Sequence, residues 1–141
     1  MSASADTTAL LLLDPYNDFM SEGGELYGWL KDVADAVDCW GNQRKVLAAV
    51  RAVGIQVFVV PHHRWREGDC ANWKAMNPSQ IISDDMQVFA AGTWGGEWHP
   101  ELAPKPGDVV ITEHWSQSSF ANTDLDAQLK QHGIQKIGSS A

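Results

Sequence analysis

The chain has 141 residues, enough for one domain with its own core, and its 44% apolar and 20% charged content is that of a globular protein. A net charge of −8 without any basic run excludes partners held by bulk attraction to positive charge, so neither nucleic acid nor an anionic membrane is expected. The longest apolar run, residues 9–13, is far too short to cross a bilayer, and residues 1–6 lack the basic start of a secretory signal, so the expected location is cytoplasmic.

The first element is Leu10-Leu11-Leu12-Leu13, a continuous apolar run of the kind found in a central parallel strand covered on both faces. Asp14-Pro15 ends it, because proline cannot donate to a ladder. Over residues 42–53, Val46, Leu47, Val50 and Val53 share one helical face, with Arg44, Lys45 and Arg51 off it, and Gly54 supplies the C-cap. Residues 55–60 are rich in β-branched side chains and read as a second buried strand, closed by Pro61. Strand–helix–strand order implies a right-handed crossover and a parallel sheet.

Residues 62–107 are dense in Gly, Pro, Asn, Asp and Trp, with one short helix expected near residues 78–89; a loop region of this length is usually functional. The third strand is expected over residues 109–112. Thr123 reads as the N-cap of a helix through Gln131, with Asp126 at the capping-box position and Gly133 as the stop. Residues 134–137 open a fourth strand. The following Gly138-Ser139-Ser140-Ala141 does not resemble a strand end.

Asp14 falls at the carboxyl end of the first strand, the edge that faces the ligand crevice in an open α/β sheet. A carboxylate there serves either as a proton acceptor or as a loop cap bonded to backbone N–H groups. His114 follows the third strand, either as an acid–base partner that changes charge near neutral pH or as a histidine packed under loop tryptophans. Ser116, Ser118 and Ser119 lack a G-x-S-x-G elbow, and Gly92-Thr93-Trp94-Gly95-Gly96-Glu97 lacks the strand and helix of a phosphate cradle. His62-His63 is not a metal motif, because adjacent residues on extended chain point apart. Cys39 and Cys70 make no disulfide framework and have no second cysteine at metal-ligand spacing, so no metal and no cofactor are expected. Trp65, Trp73, Trp94, Trp98 and Trp115 fall in expected loops; they line a pocket, bury an oligomer interface, or glue the loops to the body.

Three motifs occur in order: Asp14 with Asn17-Asp18-Phe19, then Gly92-Thr93 with Gly95, then His114 with Ser118, Phe120 and Thr123-Asp124-Leu125. Together they resemble the isochorismatase-like family of cysteine hydrolases, over essentially residues 10–137. The resemblance implies a three-layer α/β/α fold in a single domain, with a parallel sheet of order 3-2-1-4-5 lacking its C-terminal strands. It implies hydrolysis of a small amide or a vinyl-ether-type molecule, a small-molecule substrate, and a homo-oligomer. The glycine-rich segment becomes a turn-rich pocket wall, and Phe19, Trp94, Trp115 and Phe120 become the expected substrate contacts. Asp14 takes the family's proton-transfer position, and Asn17 and Asp18 hold its loop. His114 stands where the family carries a lysine, so a switchable group replaces a fixed charge.

The family's nucleophilic cysteine follows the next strand, and neither Cys39 nor Cys70 maps onto it. The sequence is therefore expected to stop short of that nucleophile and to leave residues 10–13 as a bare sheet edge, making the chain marginally folded or dependent on a partner. Two rival functions follow. In one, the chain is a catalytically dead module that binds a small aromatic ligand or dimerises. In the other, Asp14 and His114 carry out acid–base chemistry with no covalent step, as some family members do on a vinyl ether.

Overall fold

The computed structural model describes residues 4–115 and 117–140. Its centre is a four-stranded, all-parallel sheet formed by β1 (Thr8–Leu13), β2 (Gln56–Val60), β3 (Val109–Val110) and β4 (Lys136–Ser139), in the order β3-β2-β1-β4. The leucine run of β1 has no polar face to offer water. It takes an inner position, paired with β2 from Ala9↔Gln56 to Leu13↔Val60 and with β4 from Thr8↔Lys136 to Leu11↔Ser139.

Alternation along the strands then fixes the layers. Leu10, Leu12, Val57 and Val59 point to one face, where Leu47 and Val50 of α3 (Cys39–Ala52) cover them. Ala9, Leu11, Phe58 and Val60 point to the other, under Leu125 and Leu129 of α5 (Leu125–Gln131). The result is the three-layer α/β/α architecture. The remaining helices are α1 (Asn17–Met20), α2 (Tyr27–Ala36) and α4 (Pro78–Asp85). No helix among the described residues is long and apolar enough to cross a membrane.

Both glycine stops work by the same geometry. After α3, Gly54 (φ +76°) donates to the Arg51 carbonyl and Ile55 donates to Val50. After α5, Gly133 (φ +68°) donates to Lys130 and Ile134 donates to Leu129. These paired bonds satisfy carbonyls the helix leaves open and turn the chain back to the sheet.

Several expectations are corrected. The fourth strand spans Lys136–Ser139, so β1 is not a bare edge. A ladder is built from backbone groups, which Gly138 and Ser139 supply despite their poor strand propensity, and the Ser140 N–H continues it to the Leu11 carbonyl at 3.0 Å. The exposed edge is β4 itself. The third strand is cut to two residues: the Ile111 N–H still reaches the Val59 carbonyl at 3.1 Å, but the next donor from β2 would be residue 61, a proline without an N–H. The helix α4 stops at Asp85, short of residue 89, because Gln87 and Phe89 take left-handed backbone at φ +53° and +57°. The N-cap of α5 is Asp124, not Thr123, because the helix begins at Leu125; Thr123 Oγ1 accepts from the Leu125 N–H at 3.2 Å, and Asp126 pairs with Lys130 without building a capping box. The helix α2 carries no sequence expectation.

Candidate active site

Three chain segments meet at the carboxyl end of the sheet, each placed by backbone bonds. The Asp14 N–H continues the ladder to the Val60 carbonyl at 3.1 Å, and the Tyr16 N–H folds back to the Asp14 carbonyl at 2.7 Å. That tight reversal before Pro15 holds Asp14 at φ +46°, a left-handed conformation that aspartate tolerates better than most residues and that concentrates at functional sites. The chain beyond β3 runs beside the chain beyond β2: the His114 N–H reaches the Pro61 carbonyl at 2.9 Å, and the His63 N–H reaches the His114 carbonyl at 2.8 Å. His114 is thereby fixed and buried, with its Nε2 at 2.9 Å from Asp14 Oδ1.

A bond to a carboxylate places hydrogen on Nε2. The Nδ1 of His114 is buried and has no hydrogen-bond partner among the described residues. A second N–H there would be buried without an acceptor, at greater cost than a bare lone pair. His114 therefore meets Asp14 through Nε2, at the position where the family carries a lysine.

His62 packs edge-on against His114, with ring centroids 5.2 Å apart, and its Nδ1 lies 2.8 Å from the His63 carbonyl. Burial lowers the pKa of His62. The unfolded chain thus takes up this proton at a higher pH than the folded one, so the contribution is intact above about pH 6.5 and is lost as pH falls below it. Urea unfolding is expected to show lower stability at pH 5.5 than at pH 7.5, and His62→Gln should flatten that slope; an unchanged slope would contradict the assignment.

Asn17 and Asp18 act as loop holders. The Asn17 side-chain amide donates to the Trp94 carbonyl at 2.9 Å. The buried Asp18 carboxylate accepts from the Phe89 N–H at 2.7 Å and the Glu25 N–H at 3.2 Å. Gly95 must be glycine here, because a Cβ would stand 2.3 Å from that carboxylate. Arg64 bonds Glu113 Oε1 and the Gly96 carbonyl, each at 2.7 Å, and lies over the rings of Tyr16 and Trp98. Burial alone would raise the pKa of Glu113; the bonds from Arg64 outweigh it and hold the carboxyl low. His63 sits between Asp69 and Glu113 and stacks on Trp115 at 3.7 Å. No group of three or more metal-ligating side chains occurs among the described residues.

Asp14 opens onto a cavity of about 260 Å³. Its other walls are Leu13 of β1, Phe19 and Met20 of α1, Leu30, Val33 and Ala34 of α2, Val37, Cys39, Trp40 and Gln43 at and within α3, and Ser140 beyond β4. Of the four expected contact residues, only Phe19 reaches this cavity. Trp94 borders a separate shallow hollow with Asp18 and Thr93, so the glycine-rich segment braces the Asp14 loop instead of walling the cavity. Trp115 lies with His63 and Trp73 around a small gap on the far side of the histidines, and Phe120 is half exposed. Among the described residues, Trp94, Trp115 and Phe120 are not among those that border the Asp14 cavity. Ser116 lies outside the described residues, and Ser118 is exposed.

The cavity wall on α2 is written in the sequence as an apolar stripe. Leu30, Val33, Ala34 and Val37 follow helical i, i+3, i+4, i+7 spacing. Cys39 also proves to border the same space as Asp14.

The family model described as Isochorismatase domain matches residues 8–138. The chain is 30% identical to the ureidoacrylate amidohydrolase RutB of Agrobacterium fabrum, over 92% of this chain and 61% of that protein. It is 31% identical to the enzyme of the same name from Pantoea ananatis, over 92% and 56%. Among solved structures, a cysteine hydrolase from Pseudomonas syringae pv. phaseolicola 1448A superposes with a TM-score of 0.72 at 27% identity, covering 97% of this chain and 60% of that one. The N-carbamoylsarcosine amidase of Thermoplasma acidophilum superposes with a TM-score of 0.64 at 26% identity, covering 94% and 66%. The chain thus spans about three-fifths of the length of these curated relatives. With a family-model match over nearly every residue and solved relatives that superpose on almost the whole chain, the chain belongs to the isochorismatase family of hydrolases.

Proposed function

We propose that this domain hydrolyses a small amide or vinyl-ether-type molecule, with Asp14 as the proton-transfer residue and His114 as its hydrogen-bonded partner. The observation that carries the reading is the 2.9 Å contact between His114 Nε2 and Asp14 Oδ1 at the edge of an open, largely apolar cavity. In this scheme Asp14 takes the proton of the attacking nucleophile. It returns that proton to the leaving nitrogen or oxygen as the bond to carbon breaks, while His114 keeps the carboxylate oriented. Ser140, which follows β4, borders the same cavity as Asp14, and in the family the nucleophilic cysteine follows that strand.

The relatives named ureidoacrylate amidohydrolase support an amide over a vinyl ether. The test is a panel of small amides and isochorismate, assayed with and without thiol blocking. The proposal expects amide turnover that depends on Asp14; turnover indifferent to Asp14 would reject it. Binding with no turnover would favour the second reading, a ligand-binding module of the same fold, which the cavity alone supports.

A further inference from the structure

We propose that Arg64 is the positioning residue that clamps the Asp14 loop to the chain carrying His114, through a planar guanidinium that lysine cannot replace. This rests on reading Asp14 and His114 as the working pair.

That pair joins side chains a hundred residues apart through one bond of 2.9 Å, so a small shift of either loop would open it. Arg64, just past β2, touches the chain beside each partner. Towards His114 it binds Glu113, the preceding residue. Its Nη1 donates to Oε1 at 2.7 Å and its backbone N–H donates to Oε2 at 3.0 Å. Towards Asp14 its guanidinium carbon lies 4.6 Å from the ring centre of Tyr16, whose N–H closes the reversal onto the Asp14 carbonyl. The same carbon lies 4.6 Å from the ring centre of Trp98, which stacks on Tyr16 at 5.0 Å. Its Nε donates to the Gly96 carbonyl at 2.7 Å. Tyr16 is fully buried and its hydroxyl donates to the His62 carbonyl at 2.8 Å, which fixes the ring that Arg64 covers.

Two other cation-forming groups approach Glu113, His63 Nδ1 at 3.3 Å and Arg66 Nη1 at 3.7 Å. Glu113 would therefore keep charged neighbours without Arg64. What Arg64 adds is the link to the Asp14 loop. That link needs a guanidinium, which bonds in its plane while its face lies on a ring. An ammonium can meet the carboxylate as a point charge, but it has no flat face to lay on Tyr16 and Trp98. The Arg64 and Glu113 side chains are only 22% and 23% exposed, so water competes less for this pair than for one on the surface.

The test reads the pair directly, as the rate at which the His114 Nε2 proton exchanges with water. It is measured by NMR on the isotope-labelled chain near neutral pH, and the signal is assigned by its loss in His114→Gln. Arg64→Lys and Arg64→Met are each expected to speed exchange at least about tenfold, because the pair opens more often. Glu113→Gln weakens the other arm of the clamp and should also speed exchange, which keeps the test decisive if an Arg64 variant fails to fold. Arg51→Lys is the control. It disturbs another partly buried ion pair, with Asp108 at the opposite edge of the sheet, and should lower stability without altering His114 exchange. In amide turnover, Arg64→Lys should lower kcat by about tenfold or more with KM within about threefold, the mark of a misplaced reacting group. Exchange at the parent's rate in folded Arg64→Lys or Glu113→Gln, or equal acceleration in Arg51→Lys, would overturn the inference. A parent whose His114 proton exchanges as fast as that of a free imidazole would instead count against the Asp14–His114 pair itself, and the inference would fall with it.

Discussion

Asp14→Asn is expected to lower kcat/KM for amide hydrolysis by about 10²–10⁴-fold, the usual contribution of a positioned acid–base group. The substitution is chosen for what it leaves unchanged. Asparagine has the same shape, and its side-chain carbonyl can still accept from His114 Nε2 at the 2.9 Å separation. It also tolerates the φ of +46° about as well as aspartate does, so the loop is not strained further. The variant loses the charge and basicity of the carboxylate and little else. Steady-state kinetics should place the loss in kcat, with Tm close to that of the parent. A rate within threefold of the parent would remove Asp14 from the chemistry; a large fall in Tm would mean that the carboxylate is structural.

Phe58→Ala should destabilise the domain by about 3–5 kcal/mol, measured as a fall in the urea midpoint at constant slope. Phe58 is fully buried in β2, the strand between β1 and β3. Its ring joins Ala9, Leu11, Val60, Ile111, Leu125 and Leu129, and meets His132 edge-on at 5.4 Å. Truncation therefore opens a void between the sheet and α5, and strands hydrogen-bonded on both sides cannot close on it. Against a total stability of about 5–15 kcal/mol, this is a large fraction. Val53→Ala is the contrasting case: at 63% exposure it should change stability by no more than about 0.5 kcal/mol.

The parts of this structure that a sequence shows well are those written in short, local patterns. Leu10 to Leu13 read as a strand covered on both faces, although its pairing with β4 was not foreseen; of the expected α3 stripe, Leu47 and Val50 face the sheet while Val46 and Val53 are exposed; and Gly54 and Gly133 marked their turns because left-handed backbone is needed there. The position of Asp14 followed from strand-end logic, and its motif pointed to His114 a hundred residues away. What stayed hidden depended on neighbours. The strand β4 carries Gly138 and Ser139, whose side chains advertise nothing, and it forms because β1 offers a free ladder of backbone groups. The early end of β3 depended on Pro61 in the neighbouring strand's exit, which has no N–H for the Ile111 carbonyl. Trp94, Trp115 and Phe120 were read by residue type, whereas membership of the cavity is decided by which way each loop turns. The α2 stripe was visible in the spacing of Leu30, Val33, Ala34 and Val37, but its destination, a cavity wall, was not.

The most direct test of the central claim, that Asp14 and His114 act as one unit, is a double-mutant cycle on amide turnover. It uses Asp14→Asn, His114→Phe and the pair together, with folding of each checked by denaturation. Residues that act together lose their effect together. The double variant is therefore predicted to be no slower than the worse single variant. Losses that multiply, or a His114→Phe variant with the parent's rate, would contradict the account.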